Sequence, residues 1–176
     1  VDGRNRRGII NILRTGNKWT AGSFRTITFD NYYVNDHKVE GTHTITANGK
    51  NASGQWYWSI SAQNMKITNP GGTYHTWNSS RIRTLTVGDS LTYWQPTAVY
   101  SITGTASGIN VNSVSYTADI TNALKRHLDC RWFEAGTIVI TPANKLARTL
   151  DFGTDGTCDN KATVTIGNNT YDITLH

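Results

Sequence analysis

Residues 113–120 read SVSYTADI, and this alternation of polar and apolar side chains decides the fold class. The apolar members are Val114, Tyr116, Ala118 and Ile120. A period of two is that of a β-strand, because successive side chains point to opposite faces of a sheet. The segment therefore predicts a strand with one face on the core and the other in water.

The same pattern recurs along the chain. Trp56, Trp58 and Ile60 share one face of a second segment, and the C-terminal residues 170–175 alternate in the same way. Turn signals such as Asn48-Gly49 and Asn69-Pro70-Gly71 separate these segments at short intervals. We therefore predict an all-β fold of roughly ten to thirteen strands in an antiparallel meander, built as a curved sheet, a sandwich or an open barrel.

The chain of 176 residues predicts a single domain spanning residues 1–176, since no linker or low-complexity tract divides it. At most one short helix is expected, over Ile120 to Leu128, where Thr121 or Asn122 caps a turn that leads to Cys130. No apolar run is long enough to cross a bilayer. The chain starts with Val-Asp-Gly rather than a leader, so any export signal or anchor lies upstream of it.

Cys130 and Cys158 are the only cysteines. Two cysteines suit one disulfide in an oxidising compartment better than a four-ligand zinc site. Two unpaired buried thiols are the alternative. If the bond forms, it closes a loop worth about 3–4 kcal/mol on the chain-entropy model.

The sequence carries no motif for catalysis or for a cofactor. It contains no nucleophile elbow and no phosphate-binding glycine loop, and Glu40 and Glu134 are its only glutamates. Its five histidines show no metal-ligand spacing. We therefore predict a non-catalytic protein with no cofactor and no metal site.

The acidic turn over residues 151–159 is a weak candidate for a cation site. It offers Asp151, Asp155 and Asp159, but Ala162 stands where an EF-hand loop needs its bidentate glutamate. A rigid turn in which the Asp side chains bond local backbone amides is the leading interpretation.

Aromatic residues give the stronger indication of a binding surface. The candidates are Trp56, Tyr57, Trp58, Trp77 and Trp94. Exposed rings stack on sugars or anchor protein interfaces, whereas the plainer interpretation is that most of them fill a core poor in Leu and Phe.

The net charge of +5 is scattered rather than concentrated. Arg25, Lys66, Arg81 and Arg83 are the basic residues near the aromatic strands, and they are too sparse in sequence for a nucleic-acid track. We predict no nucleic-acid partner.

Five further segments are informative together: GIINI at 8–12, SFRTITFDNYYVN at 23–35, VEGT at 39–42, LDFG at 150–153 and Cys158-Asp159-Asn160. They resemble segments of a family of secreted proteins and lipoproteins of the Bacteroidota cell envelope. The resemblance implies an exported, surface-exposed or lipid-anchored β-domain in which Cys130 pairs with Cys158. It also implies sequence ahead of residue 1, such as a further strand or an anchor segment.

The same resemblance implies a modification and a role. Asp89-Ser90-Leu91 matches the pattern that these bacteria use for O-glycosylation, which makes Ser90 a candidate. We expect a structural or accessory subunit of a surface or outer-membrane assembly, with an envelope protein as its partner and membrane contact only through an upstream lipid anchor. A carbohydrate-binding module that uses the exposed Trp and Tyr residues is the alternative.

Overall fold

The computed structural model describes residues 2–88, 97–154 and 156–175. These residues form eleven strands. They are β1 (Arg6–Arg14), β2 (Phe24–Val34), β3 (His37–Lys50), β4 (Trp56–Thr68), β5 (Tyr74–Val87), β6 (Val99–Ile109), β7 (Ser115–His127), β8 (Ala135–Pro142), β9 (Arg148–Asp151), β10 (Lys161–Ile166) and β11 (Asn169–Thr174).

The eleven strands form one sheet in strict chain order. Each strand pairs antiparallel with the strands before and after it in sequence. The predicted all-β meander is confirmed. Because every described strand belongs to the same sheet, which is not closed into a barrel, the single-sheet alternative holds and a two-sheet sandwich does not.

The predicted helix over Ile120 to Leu128 is wrong. Those residues continue strand β7, which pairs with β6 and β8. Register shifts between Ile120 and Asn122 and between Asn122 and Lys125 break the alternation there. Ile120 and Leu124 consequently pack in one cluster at a spacing of four residues, which resembles a helix in sequence. Within the described part of the chain there is no helix, and hence none that could span a membrane.

Bulges bend the first eight strands. Every pairing from β1–β2 to β7–β8 contains a register shift, whereas the three pairings from β8 to β11 contain none. At Gly41 the backbone has a φ of +118°, and an added Cβ would lie 2.7 Å from the carbonyl oxygen of Asn64. Only glycine fits there without strain. Such bulges bend the bulged strand and increase its twist.

In β7 the sheet has one apolar and one polar face, whereas β1 exposes apolar side chains on both faces, namely Ile9, Ile10, Ile12 and Leu13. We call the face that carries Trp58, Arg83 and Leu124 the inner face. The pairing register of β4 to β7 places these three side chains on the same side of the sheet. Along β7 its residues Tyr116, Ala118 and Ile120 are half-buried, whereas the intervening residues of the outer face are exposed. The period of two in the sequence therefore places one face away from water, as predicted.

Long connections pack against one half of the inner face. Successive hairpins of a meander turn at opposite ends of the sheet, and residues 15–23 and 128–134 connect strands at the same end. Trp19 from the first connection packs on a cluster built around Trp58, and Phe133 from the second packs on a cluster built around Leu124. We call this part of the inner face the covered half.

The other half of the inner face, toward the short connections, has no such layer. We call it the bare half. It includes His75, Trp77, Tyr116, Ala118 and Ile140, which line a cavity of about 370 Å³ together with residues of the Leu124 cluster. Apart from Phe133, all described residues in the wall of this cavity come from the neighbouring strands β5 to β8.

The surface area reflects this open architecture. The chain exposes 10852 Å², whereas a compact monomer of its mass would expose about 8,500 Å². Domains normally bury an apolar sheet face beneath a second layer. The excess area therefore indicates a sheet that is only partly covered by its own chain.

Candidate functional site: a basic and aromatic cavity on the inner face

The two cysteines form a disulfide, as predicted. Cys130 follows β7 and Cys158 precedes β10, and their Cα atoms are 5.8 Å apart. The bond therefore joins two connections across the intervening strands β8 and β9. A disulfide is consistent with an oxidising, exported compartment.

A group of possible metal ligands surrounds this disulfide but is already engaged. The Cys130 and Cys158 sulfurs lie close to a carboxylate oxygen of Glu134. Both sulfurs are bonded to each other, and the Glu134 carboxylate contacts Nδ1 of His127. The thiolates that a metal would need are therefore not available.

The acidic turn behaves as a hydrogen-bonded turn at the two positions that the structure describes. Asp151 Oδ1 accepts a hydrogen bond of 2.7 Å from the Gly153 amide, and Asp159 Oδ1 accepts one of 2.9 Å from the Lys161 amide. These contacts match the turn interpretation. Asp155 lies outside the described residues, as do Ser90 and Trp94.

The predicted binding aromatics do not lie on one surface. Trp56 and Trp58 share the inner face, with ring centroids 6.5 Å apart. Tyr57 points to the outer face, because neighbouring residues of a strand alternate. Trp77 lies in the bare half, where it stacks on His75 with centroids 5.6 Å apart.

Trp58 is part of the core. Its side chain is 2% exposed, and its indole Nε1 donates a 2.9 Å hydrogen bond to the Lys18 carbonyl. Trp19 contacts Trp56 and Trp58 edge to face, at 5.5 and 5.3 Å. The plainer interpretation of the aromatics thus applies to Trp58, and the first long connection is held down by this cluster.

Arg83 lies between two of these rings. Its guanidinium carbon is 5.1 Å from the centroid of Trp58 and 5.0 Å from that of Tyr100. Contacts of this kind between a cation and an aromatic face are attractive and fix the orientation of the side chain. The Nε of Arg83 is buried and finds no hydrogen-bond partner in the part of the chain that the structure describes.

A small cavity opens beside Arg83. Its volume is about 180 Å³, and the charged residues in its wall are all basic: Arg14, Lys18, Arg25 and Arg83. Trp58, Ile45 and Ala47 supply apolar wall. Strand register brings these residues together, because Arg14 is opposite Arg25, Arg25 opposite Ile45 and Trp58 opposite Arg83.

The charges around the cavity repel one another. Burial lowers the pKa of Arg83, and the nearby guanidinium groups of Arg25 and Arg126 lower it further. Burial also lowers the pKa of His43, with added repulsion from Arg25, Arg81 and Arg83. Among the described residues, none of these arginines forms an ion pair with a carboxylate.

The sequence indicates two arginines of this cavity, Arg25 and Arg83, but not their grouping, and Arg14 gives no signal. Arg25 lies one strand from Arg14 and three strands from Arg83. Their grouping therefore follows only from the register of β1 to β5. The sequence indicates only that Arg81 and Arg83 share one face, because side chains alternate along β5.

Comparisons with protein-family models, with curated proteins and with solved structures find no match to this chain.

Proposed function

We propose that the protein is a non-catalytic, exported subunit of a cell-envelope surface assembly, and that a partner protein covers the bare half of its inner face. One observation carries the proposal: the described wall of a half-buried apolar and aromatic surface, which includes Trp77, Tyr116 and Ile140, comes only from the neighbouring strands β5 to β8 and from Phe133. Large uncovered apolar surfaces are typical of interaction sites.

The chemistry of this surface specifies the partner. His75 and Arg81 are the basic residues in the wall, and none of the described residues that line it is a carboxylate. An apolar ridge flanked by acidic side chains would complement both properties. We therefore propose a partner of that chemistry rather than a second copy of this basic chain.

Two further observations support the exported, envelope location. The Cys130–Cys158 bond requires an oxidising compartment to persist. The resemblance of residues 23–35 and of the Cys158-Asp159-Asn160 turn to secreted and lipid-anchored Bacteroidota proteins favours the same place. Attachment through a lipid anchor upstream of this chain is part of the proposal.

The alternative, a carbohydrate-binding module built on exposed rings, is less well supported in its predicted form. Of the described candidates, Trp58 is buried and Tyr57 faces the opposite side from Trp56. Trp77 has only a histidine as its stacked neighbour. We therefore place the assembly role first.

Site-specific photo-crosslinking tests the proposal. A photo-reactive amino acid replaces Tyr116 on the inner face, and a matched control carries it at Thr117, the next residue on the outer face. In cells of the native host, we expect the probe at position 116 to trap one envelope protein, and the probe at 117 to trap none. Ile140→Asn should abolish the crosslink at 116 without unfolding the sheet.

Three results would contradict the assembly role. Equal crosslinking at both positions would show that the inner face is not special. A crosslink only between copies of this chain, matched by a dimer in sedimentation experiments, would replace the partner by a second copy. Absence of any crosslink at 116 in the intact envelope would show that the bare half stays uncovered.

A further inference from the structure

The cavity beside Arg83 differs from the bare half in its chemistry. Every charged residue in its wall is basic, and the strand register holds Arg14, Arg25 and Arg83 near one another. Like charges are normally separated or paired with carboxylates, because their repulsion destabilises the folded state. A cluster of unpaired arginines in a cavity therefore requires an explanation.

The second observation concerns the contacts of Arg83. The rings of Trp58 and Tyr100 hold its guanidinium, and its buried Nε–H has no acceptor among the described residues. A buried donor without a partner destabilises the fold, because it loses its hydrogen bonds to water without replacement. An acceptor that entered the cavity would remove this cost and neutralise the neighbouring charges.

Acidic residues of the chain do not supply that acceptor within its described part. Asp2 pairs with Arg6, Asp36 with Arg7 and Glu40 with Lys38. Glu134 contacts His127 beside the disulfide. Among the described residues, the arginines of the cavity therefore have no carboxylate partner, although Arg14 Nε donates to the Gly16 carbonyl.

We propose that this cavity is a binding site for an oxyanionic group, a sulfate, phosphate or carboxylate, held by Arg14, Arg25 and Arg83. Guanidinium groups present several N–H donors in a planar fork that matches the oxygens of such anions. The volume of about 180 Å³ exceeds what one water molecule occupies and admits an anionic group of this size. The inference does not depend on the assembly role, since it concerns the covered half.

The site would take its anion either free or as part of a larger molecule. Trp19 and Trp56 are only partly buried beside Trp58, so that an attached sugar ring could meet an aromatic edge. Inorganic sulfate and a sulfated chondroitin tetrasaccharide separate the two sources.

The experiment is a titration of the purified, disulfide-bonded chain with each probe at low ionic strength, followed by calorimetry and tryptophan fluorescence. We expect saturable binding of at least one probe. Arg25→Gln and Arg14→Gln should each weaken it at least fivefold, because each removes one set of charged donors. Both arginines are exposed, so neither variant should alter the fold.

Arg4→Gln is the matched control, since it removes the same charge from an exposed arginine ahead of β1, at the opposite end of that strand from Arg14. Its affinity should stay within twofold of the wild type. Tighter binding of the tetrasaccharide would identify a glycan-borne anion, and equal binding per sulfate would identify the free ion. Either pattern supports the site.

Two results would overturn the inference. Absence of saturable binding for both probes would show that the cavity takes no oxyanion. Equal weakening by Arg4→Gln and Arg25→Gln would show that net charge alone attracts the probes.

Discussion

Two tryptophans on neighbouring strands show how differently one sheet face is used. Trp58 of β4 is 2% exposed and contacts Trp19, Tyr100 and Arg83. Trp77 of β5 is half-buried and stacks on His75. Both rings lie on the inner face of neighbouring strands, so neither the face nor the strand explains why their exposure differs.

The connections explain it. At one end the chain between β1 and β2 is long enough to fold back and place Trp19 on the sheet. The hairpins at the other end are tight, such as the one between β2 and β3. One half of the face is therefore covered by its own chain, whereas the other is left for a partner.

The largest expected effect comes from truncating the two tryptophans. Trp58→Ala should lower the free energy of unfolding by about 4 kcal/mol, because it leaves a cavity in a closed core. Trp77→Ala should lower it by about 1–2 kcal/mol, since that ring already contacts water. Urea denaturation of both variants measures the difference.

Equal losses for Trp58→Ala and Trp77→Ala would contradict the division into covered and bare halves. Phe replacements serve as controls, because they retain most of the apolar area of each ring and should lose less at both positions.

The disulfide should have the next largest effect. Replacing Cys130 and Cys158 together by Ser should lower the unfolding free energy by about 3–4 kcal/mol, because the open loop gains entropy when unfolded. Urea denaturation of this variant, beside the wild type with and without reductant, tests it. A loss below about 1 kcal/mol would show that the loops on the covered half hold their positions without the bond.

A smaller effect is expected at a bulge of the bare half. Gly41→Ala should cost about 2 kcal/mol, because its positive φ and the nearby Asn64 carbonyl leave no room for a Cβ. Thermal unfolding measures the cost. Gly54→Ala is the control for φ alone, since it shares a positive φ but no atom lies within 4 Å of its Cβ position. Equal costs would show that the close approach at Gly41 is unimportant.

The smallest effect concerns pH. Burial and the surrounding arginines lower the pKa of His43 in the folded protein. The His43 side chain therefore takes up a proton at a higher pH in the unfolded state than in the folded state. The free energy of unfolding consequently falls as the pH drops through the ordinary histidine pKa of 6.5. The change should be a fraction of a kcal/mol, because the ring is partly solvated.

Comparing urea midpoints at pH 7.5 and 5.5 for the wild type and His43→Asn isolates this contribution from the other histidines. The variant should lose less stability on acidification. An identical pH dependence of the two proteins would argue against a cationic environment at His43.

Much of the fold could be predicted from the sequence, since alternation in segments such as 113–120 reports which side chains share a face. The wrong prediction of a helix over Ile120 to Leu128 has a physical cause. Bulges add residues to one strand of a pair, and the resulting spacing of Ile120 and Leu124 imitates a helix. The spacing of apolar residues cannot distinguish a strand from a helix when a register shift falls inside the segment.

The cavity could not be predicted, because it depends on alignment between strands. Arg14 and Arg83 are remote in sequence, and four successive pairings bring them to the same cavity. Each bulge shifts the register, so an error at one hairpin would move every later residue. The disulfide was easier to predict than the cavity, because two cysteines allow only one intramolecular pairing.

The strictly sequential order of the strands has a consequence for how the protein opens. Each strand pairs through its backbone only with its predecessor and its successor, so the energetics of the sheet resemble those of a linear repeat array, a sum of units and nearest-neighbour interfaces. Fraying then begins at β1 and β11, which have one neighbour each. The ring closed through Cys130 and Cys158 encloses β8 and β9. That hairpin is where amide hydrogen exchange should be slowest.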